Sequence, residues 1–200
     1  MPAPIQFWFD FSSPYAYFAA LRIDGIGVRH GRAVEWLPFM LGAAFKSTGM
    51  APLVQQPLRG DYARRDWDRI ARRMGVPFVL RKDFPMVALA GSRAVYWLDS
   101  QDGELARQAA KRLFHAYFGE GRDMTEAEAV AAELAALGVD RDALLAAVAA
   151  PEWKARLKDK TAEAVASGVF GSPFTMVDGE PFWGHDRLDE VERWLESGGW

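Results

Sequence analysis

Three short stretches carry residue types able to do chemistry. In the first, Asp10-Phe-Ser-Ser-Pro14, a hydroxyl stands immediately before a proline that suits the first position of a helix. Ser13 there would lie beside unpaired amides and the positive end of a helix dipole, where an anion is stabilised, although a plain helix cap is the ordinary reading of these two residues alone. Asp10 reads as a local turn acceptor. In the second stretch, Phe170-Gly-Ser-Pro-Phe174, a proline follows a glycine and a serine at the entry to a strand. Such a proline can be cis and leave the backbone of Ser172 open to pair with an extended ligand, although a trans turn is the ordinary form. In the third, Trp183-Gly-His-Asp-Arg187, Asp186 either caps the last helix or meets an ammonium group.

The chain has no cysteine, which excludes disulfides, thiolate metal sites and any dithiol redox step by the protein itself. Its three histidines, His30, His115 and His185, are isolated, so no metal is expected. No glycine-rich phosphate loop follows a predicted strand. Arg64, Arg65, Arg69, Arg72, Arg73, Arg81 and Lys82 are interleaved with Asp61, Asp66, Asp68 and Asp83, which reads as a solvated, ion-paired face. With 24 basic against 27 acidic residues and a net charge of −3, nucleic acid is not an expected partner.

These stretches must be positioned by a fold, and 200 residues, half of them hydrophobic, suffice for a substantial core. Ile5 to Asp10 suits a buried central strand, Pro14 to His30 a helix, and Ala33 to Phe39 a second strand ended by Pro38. The middle has helical period over Asp61 to Met74, Met86 to Leu98, Glu104 to Phe118, Thr125 to Leu137 and Asp140 to Ala149. Thr125 with Glu128 matches a capping box, and Gly138 with Asp140 ends one helix and caps the next. A helix from Glu152 to Ser167, two strands turning at Asp178-Gly179 and a helix from Asp186 to Glu196 complete the chain. This order predicts an α/β protein of thioredoxin-like fold, formed by residues 1–41 and 166–200, interrupted by an all-helical insertion at 42–165. No long apolar run or basic leader is present, so a cytoplasmic protein without a membrane segment is expected.

The residues Phe7 to Tyr17, Trp36-Leu-Pro-Phe39 with Gly42 and Phe45-Lys46, Gly60-Asp-Tyr62 with Asp66, Gly171-Ser-Pro173 and Phe182 to Leu188 together resemble a known group over nearly the whole chain. The group is the 2-hydroxychromene-2-carboxylate isomerases and kappa-class glutathione transferases, which belong with the DsbA-like thioredoxin proteins. The resemblance implies glutathione as cofactor and Ser13 as the catalytic residue whose hydroxyl faces the thiol. It implies a cis Pro173, with the Ser172 backbone pairing the cysteinyl unit, and His185-Asp186 at the γ-glutamyl end, Asp186 taking the ammonium. Arg59 stands where relatives carry lysine against the tripeptide carboxylate, and Met50 lies near a position that is often asparagine.

The activity implied is isomerisation of 2-hydroxychromene-2-carboxylate to trans-o-hydroxybenzylidenepyruvate in aromatic catabolism. A kappa-like transferase and a non-catalytic aromatic-ligand or peptide binder are the alternatives. Trp8, Phe39, Phe45 and Trp183 are candidates to line an apolar pocket for a small aromatic carboxylate or electrophile, or else pack in the core, and Lys46 is the candidate to meet its carboxylate. A homodimer is implied by the same resemblance.

Overall fold

The computed structural model describes residues 2–200. A four-stranded sheet in the order β2-β1-β3-β4 lies at its centre, made of β1 (Ile5–Phe9), β2 (Val34–Pro38), β3 (Phe174–Val177) and β4 (Glu180–Trp183). β1 runs parallel to β2 and antiparallel to β3, and β3 and β4 form a hairpin through Asp178-Gly179. Both faces of β1 are covered, as its aromatic sequence requires. Ile5, Phe7 and Phe9 enter one cluster with Phe11, Trp36 and Phe114, while Trp8 points the other way among Leu37, Phe39, Tyr96 and Phe174.

Between β1 and β2 the expected single helix is two, α1 (Pro14–Ala20) and α2 (Ile23–Arg29). The break at Leu21-Arg22 lets α2 turn onto β2. There Asp24 accepts from the Trp36 indole at 2.9 Å, and Gly27 approaches so closely that a Cβ would meet the Arg32 carbonyl at 2.6 Å.

The segment between β2 and β3 is helical, with α3 (Leu41–Thr48), α4 (Arg59–Met74), α5 (Leu89–Asp99), α6 (Gly103–Phe114), α7 (Ala127–Leu134), α8 (Arg141–Ala149) and α9 (Pro151–Ala166). α3 and a 3-10 turn at Leu53–Gln55 lie outside the expected elements. The expected helix to Phe118 changes to a π-helical turn at His115–Gly119. The capping box at Thr125 does not form. Thr125 turns back, donating from both its amide and its hydroxyl to Asp123, and α7 starts two residues later without a side-chain cap. Asp140 does cap α8, bonding Ala143 N at 2.8 Å after Gly138 has ended the preceding turn at φ 80°.

After β4 a 3-10 turn (His185–Arg187) leads into α10 (Leu188–Ser197). One core cluster joins β1, α1, α4, α5 and α6, so strands and helices share a continuous interior. Among the described residues no helix is long and apolar enough to cross a membrane.

Candidate active site

The end of β1 and the start of α1 are shaped by Asp10. Its carboxylate accepts from the amides of Ser12 and Leu41, each at 2.8 Å, and its main-chain carbonyl accepts from Ser13 N at 3.0 Å. The Asp10 amide donates to Ser172 Oγ at 2.8 Å. One residue thus ties the turn before α1, the first residue of α3 and the loop before β3. Burial pushes the Asp10 carboxyl above its ordinary range, opposed by the bonds from Ser12 and Leu41.

Ser13, buried at the head of α1, does two things with one hydroxyl. Its oxygen accepts from Ala16 N at 3.2 Å, the cap expected of it, and its proton is donated to the Ser172 carbonyl at 2.7 Å. The Ser172–Pro173 bond is cis. α1 has only seven residues, so its field is short and the hydroxyl is the chief polar group at this point.

Ser13 and Ser172 lie on the wall of a cleft of ≈ 1560 Å³. Arg59, Pro173, His185, Asp186, Phe39, Phe45, Lys46 and Trp183 line the same cleft, so the sequence-derived candidates for sulfur, tripeptide and electrophile converge there. Met50 lines it too, with Met40 and Met86. Trp8 does not. Its ring is buried in the core, edge-on to Phe39 at 6.5 Å, because its place on β1 points it under the sheet.

Asp186 does not cap the last helix. No side chain caps either the 3-10 turn or α10, and the carboxylate folds back over Gly184, whose lack of a Cβ permits the approach. His185 is buried, its ring stacked on Tyr15 at 5.2 Å and 17°, and desolvation holds it below the usual imidazole range despite Asp186 and Asp66. Trp183 is half exposed and rests edge-on against Phe170 at 4.8 Å.

The basic tract is more than a solvated face. Arg69 pairs with Asp66 at 2.7 Å, and both line the cleft along with Arg73. Tyr15, which the sequence did not single out by itself, donates to Asp66 at 3.0 Å, and burial, Asp66 and Asp186 all push its phenol upward. The signal for this corner was the joint occurrence of Tyr15 and Asp66 in the motif set, since neither is distinctive alone. Among the described residues no three His, Asp or Glu side chains converge to hold a metal ion.

The cleft therefore brings together a single-proton donor, hydrogen-bonded to the Ser172 carbonyl, with carboxylates, cations, aromatic and methionine side chains on its walls. The sequence profile of the DSBA-like thioredoxin domain matches residues 4–196. A 2-hydroxychromene-2-carboxylate isomerase of Sphingobium xenophagum is 28% identical, covering 98% of this chain and 99% of its own length. Glutathione s-transferase kappa 2 of Caenorhabditis elegans is 29% identical over 96% of this chain and 91% of its own. Among solved structures, a 2-hydroxychromene-2-carboxylate isomerase superposes with a TM-score of 0.87 at 26% identity, over 96% of this chain and 94% of that one.

Proposed function

The chain belongs to the DSBA-like thioredoxin domain family, and we propose that within it this protein is a glutathione-dependent isomerase acting on 2-hydroxychromene-2-carboxylate. The observation that carries the reading is the Ser13 hydroxyl, 2.7 Å from the Ser172 carbonyl beside a cis proline, in a protein without cysteine. A thioredoxin-like site lacking its own thiol retains the donor and backbone edge suited to a borrowed one.

The residues present fit the tripeptide. Ser172 offers its backbone to the cysteinyl unit, its carbonyl once the Ser13 proton turns to the sulfur. Asp186 and Asp66 offer carboxylates to the ammonium, and Arg59 offers a cation to a carboxylate. Its bonding to Gln56 at 2.8 Å leaves other guanidinium donors for a ligand. When bound, glutathione supplies a thiolate nucleophile able to make a substrate double bond rotatable and then restore it.

The protein's task is to hold that sulfur ionised. A thiol of pKa about 8.5 is only about 3% ionised at pH 7, and lowering the pKa by two units requires about 2.7 kcal/mol. A hydrogen bond to a charged group contributes about 1.5 to 3 kcal/mol, so the Ser13 hydroxyl alone is of the right size. Among the other residues lining the cleft, Phe39, Phe45 and Trp183 suit a flat ring, and Lys46 suits its carboxylate.

A second reading, a kappa-like transferase, is favoured by Met40, Met50 and Met86, whose flexible side chains suit electrophiles of varied shape. The test is stoichiometry: 2-hydroxychromene-2-carboxylate is converted in the presence of glutathione, and free thiol is titrated after many turnovers. Conversion without thiol loss supports the isomerase, and loss of one thiol per turnover replaces it with the transferase.

A further inference from the structure

The Ser13 hydroxyl has one proton, and that proton is already engaged. It is donated to the Ser172 carbonyl at 2.7 Å in a buried contact, while the oxygen accepts from Ala16 N at 3.2 Å. Ser172 in turn is fixed from behind, its Oγ accepting from Asp10 N at 2.8 Å, and Asp10 is held by Ser12, Ser13 and Leu41. Donor and acceptor are both anchored within the chain. A sulfur ligand must therefore compete with Ser172 for the proton.

We propose that this competition makes Ser13 a specificity-determining residue, which admits the ionised thiol of the tripeptide and disfavours its S-substituted derivatives. The proposal rests on the glutathione reading of the site. A thiolate is a charged acceptor and draws the proton from the neutral Ser172 carbonyl, because hydrogen bonds to ionised groups are about twice as strong as neutral ones. The Ser172 carbonyl is then left to accept from the ligand's own amide. A thioether sulfur is a weak acceptor and leaves the proton where it is. Ser172 then stays engaged, and the ligand gains nothing from Ser13. The same hydroxyl that holds the thiolate thus favours release of a sulfur that has been alkylated.

The consequence is opposite in sign for the two ligand types. Removing the Ser13 hydroxyl takes a strong bond from a thiolate but takes none from a thioether, and it frees the Ser172 carbonyl for either. The test is titration calorimetry of the full chain at pH 8 with glutathione, S-methylglutathione and the thiol-free isostere γ-glutamyl-2-aminobutyryl-glycine, which separates charge from size. Wild type is expected to prefer glutathione over both analogues by about tenfold or more. Ser13→Ala is expected to weaken glutathione by a similar factor and to leave both analogues unchanged or several-fold tighter, and Ser13→Thr, which keeps a hydroxyl and the cap, to restore the preference.

Equal weakening of all three ligands in Ser13→Ala, or a wild type that binds all three alike, overturns the proposal while leaving glutathione binding intact. A wild type that binds none of them at millimolar concentration overturns the glutathione reading itself.

Discussion

Gly171 precedes the cis Ser172–Pro173 bond and leaves no room for a side chain. A Cβ there would run into Trp183 Nε1 and stand 2.8 and 2.9 Å from Cε2 and Cδ1 of the same indole. Ordinary contact is about 3.5 Å or more, so the ring must move by roughly 1 Å. Trp183 is half exposed and can swing outward, but it then loses its edge-on contact with Phe170 at 4.8 Å. That pair is worth about 0.5 to 1.5 kcal/mol. Overpacking generally costs about 1 to 3 kcal/mol, so Gly171→Ala is expected to destabilise by about 1 to 2 kcal/mol. In a Trp183→Ala background the obstacle is gone, and the same substitution should cost less than about 0.5 kcal/mol, or even stabilise by stiffening the unfolded chain. Urea unfolding of the four proteins gives the coupling directly, with equal slopes required for the comparison. A coupling of about 1 kcal/mol or more agrees with the packing. Additivity within about 0.3 kcal/mol refutes it, because the glycine would then be required by the backbone and not by the indole.

Two further outcomes follow from the charged groups. Because burial raises the Asp10 carboxyl, the native chain binds its proton more tightly than the unfolded one. Stability contributed by this group is therefore greatest below the ordinary carboxyl range and falls as pH rises through the raised value, with a slope of at most about 1.4 kcal/mol per pH unit. Urea midpoints of wild type and Asp10→Asn should draw together or cross as pH rises from 4 into that range, and pH-independent spacing would contradict the assignment. Lys46, exposed on α3, is expected to act on substrate charge alone. Lys46→Met should raise KM for an anionic electrophile about two- to fivefold, with kcat and the KM of a neutral electrophile unchanged, as suits an exposed ion contact of about 0.2 to 1 kcal/mol. An equal rise for both electrophiles would show that Lys46 shapes the wall instead.

The sheet was legible because its signals are local. The aromatic run of β1, the proline ending β2 and the Asp178-Gly179 turn each specify their element with their own residues. The break in the first helix was not, because it depends on Asp24 reaching Trp36 and on Gly27 packing against Arg32, contacts that no periodicity encodes. α3 was hidden by Gly42 and by a start supplied from elsewhere, the Asp10 carboxylate on Leu41 N, although Gly49 with φ 71° marks its end.

In the site, Ser13 and Ser172 were visible through their prolines, and the candidate ligand contacts through resemblance. Tyr15 and Asp66 carry a joint mark in the motif set, but Arg73 carries none, since an arginine on a charged helix has no sequence mark that separates a lining residue from a solvated one. Trp8 illustrates the converse: an aromatic beside a site motif went to the core because β1 alternates.

The central claim is that Ser13 holds a borrowed sulfur as its thiolate. The direct measurement is ultraviolet absorbance of the thiolate during stopped-flow titration with glutathione, followed against pH in wild type and Ser13→Ala. The account predicts a bound thiol pKa well below that of free glutathione in wild type and a return towards it in the variant. Bound tripeptide with an unshifted thiol in wild type, or the same lowered pKa in both proteins, would contradict it.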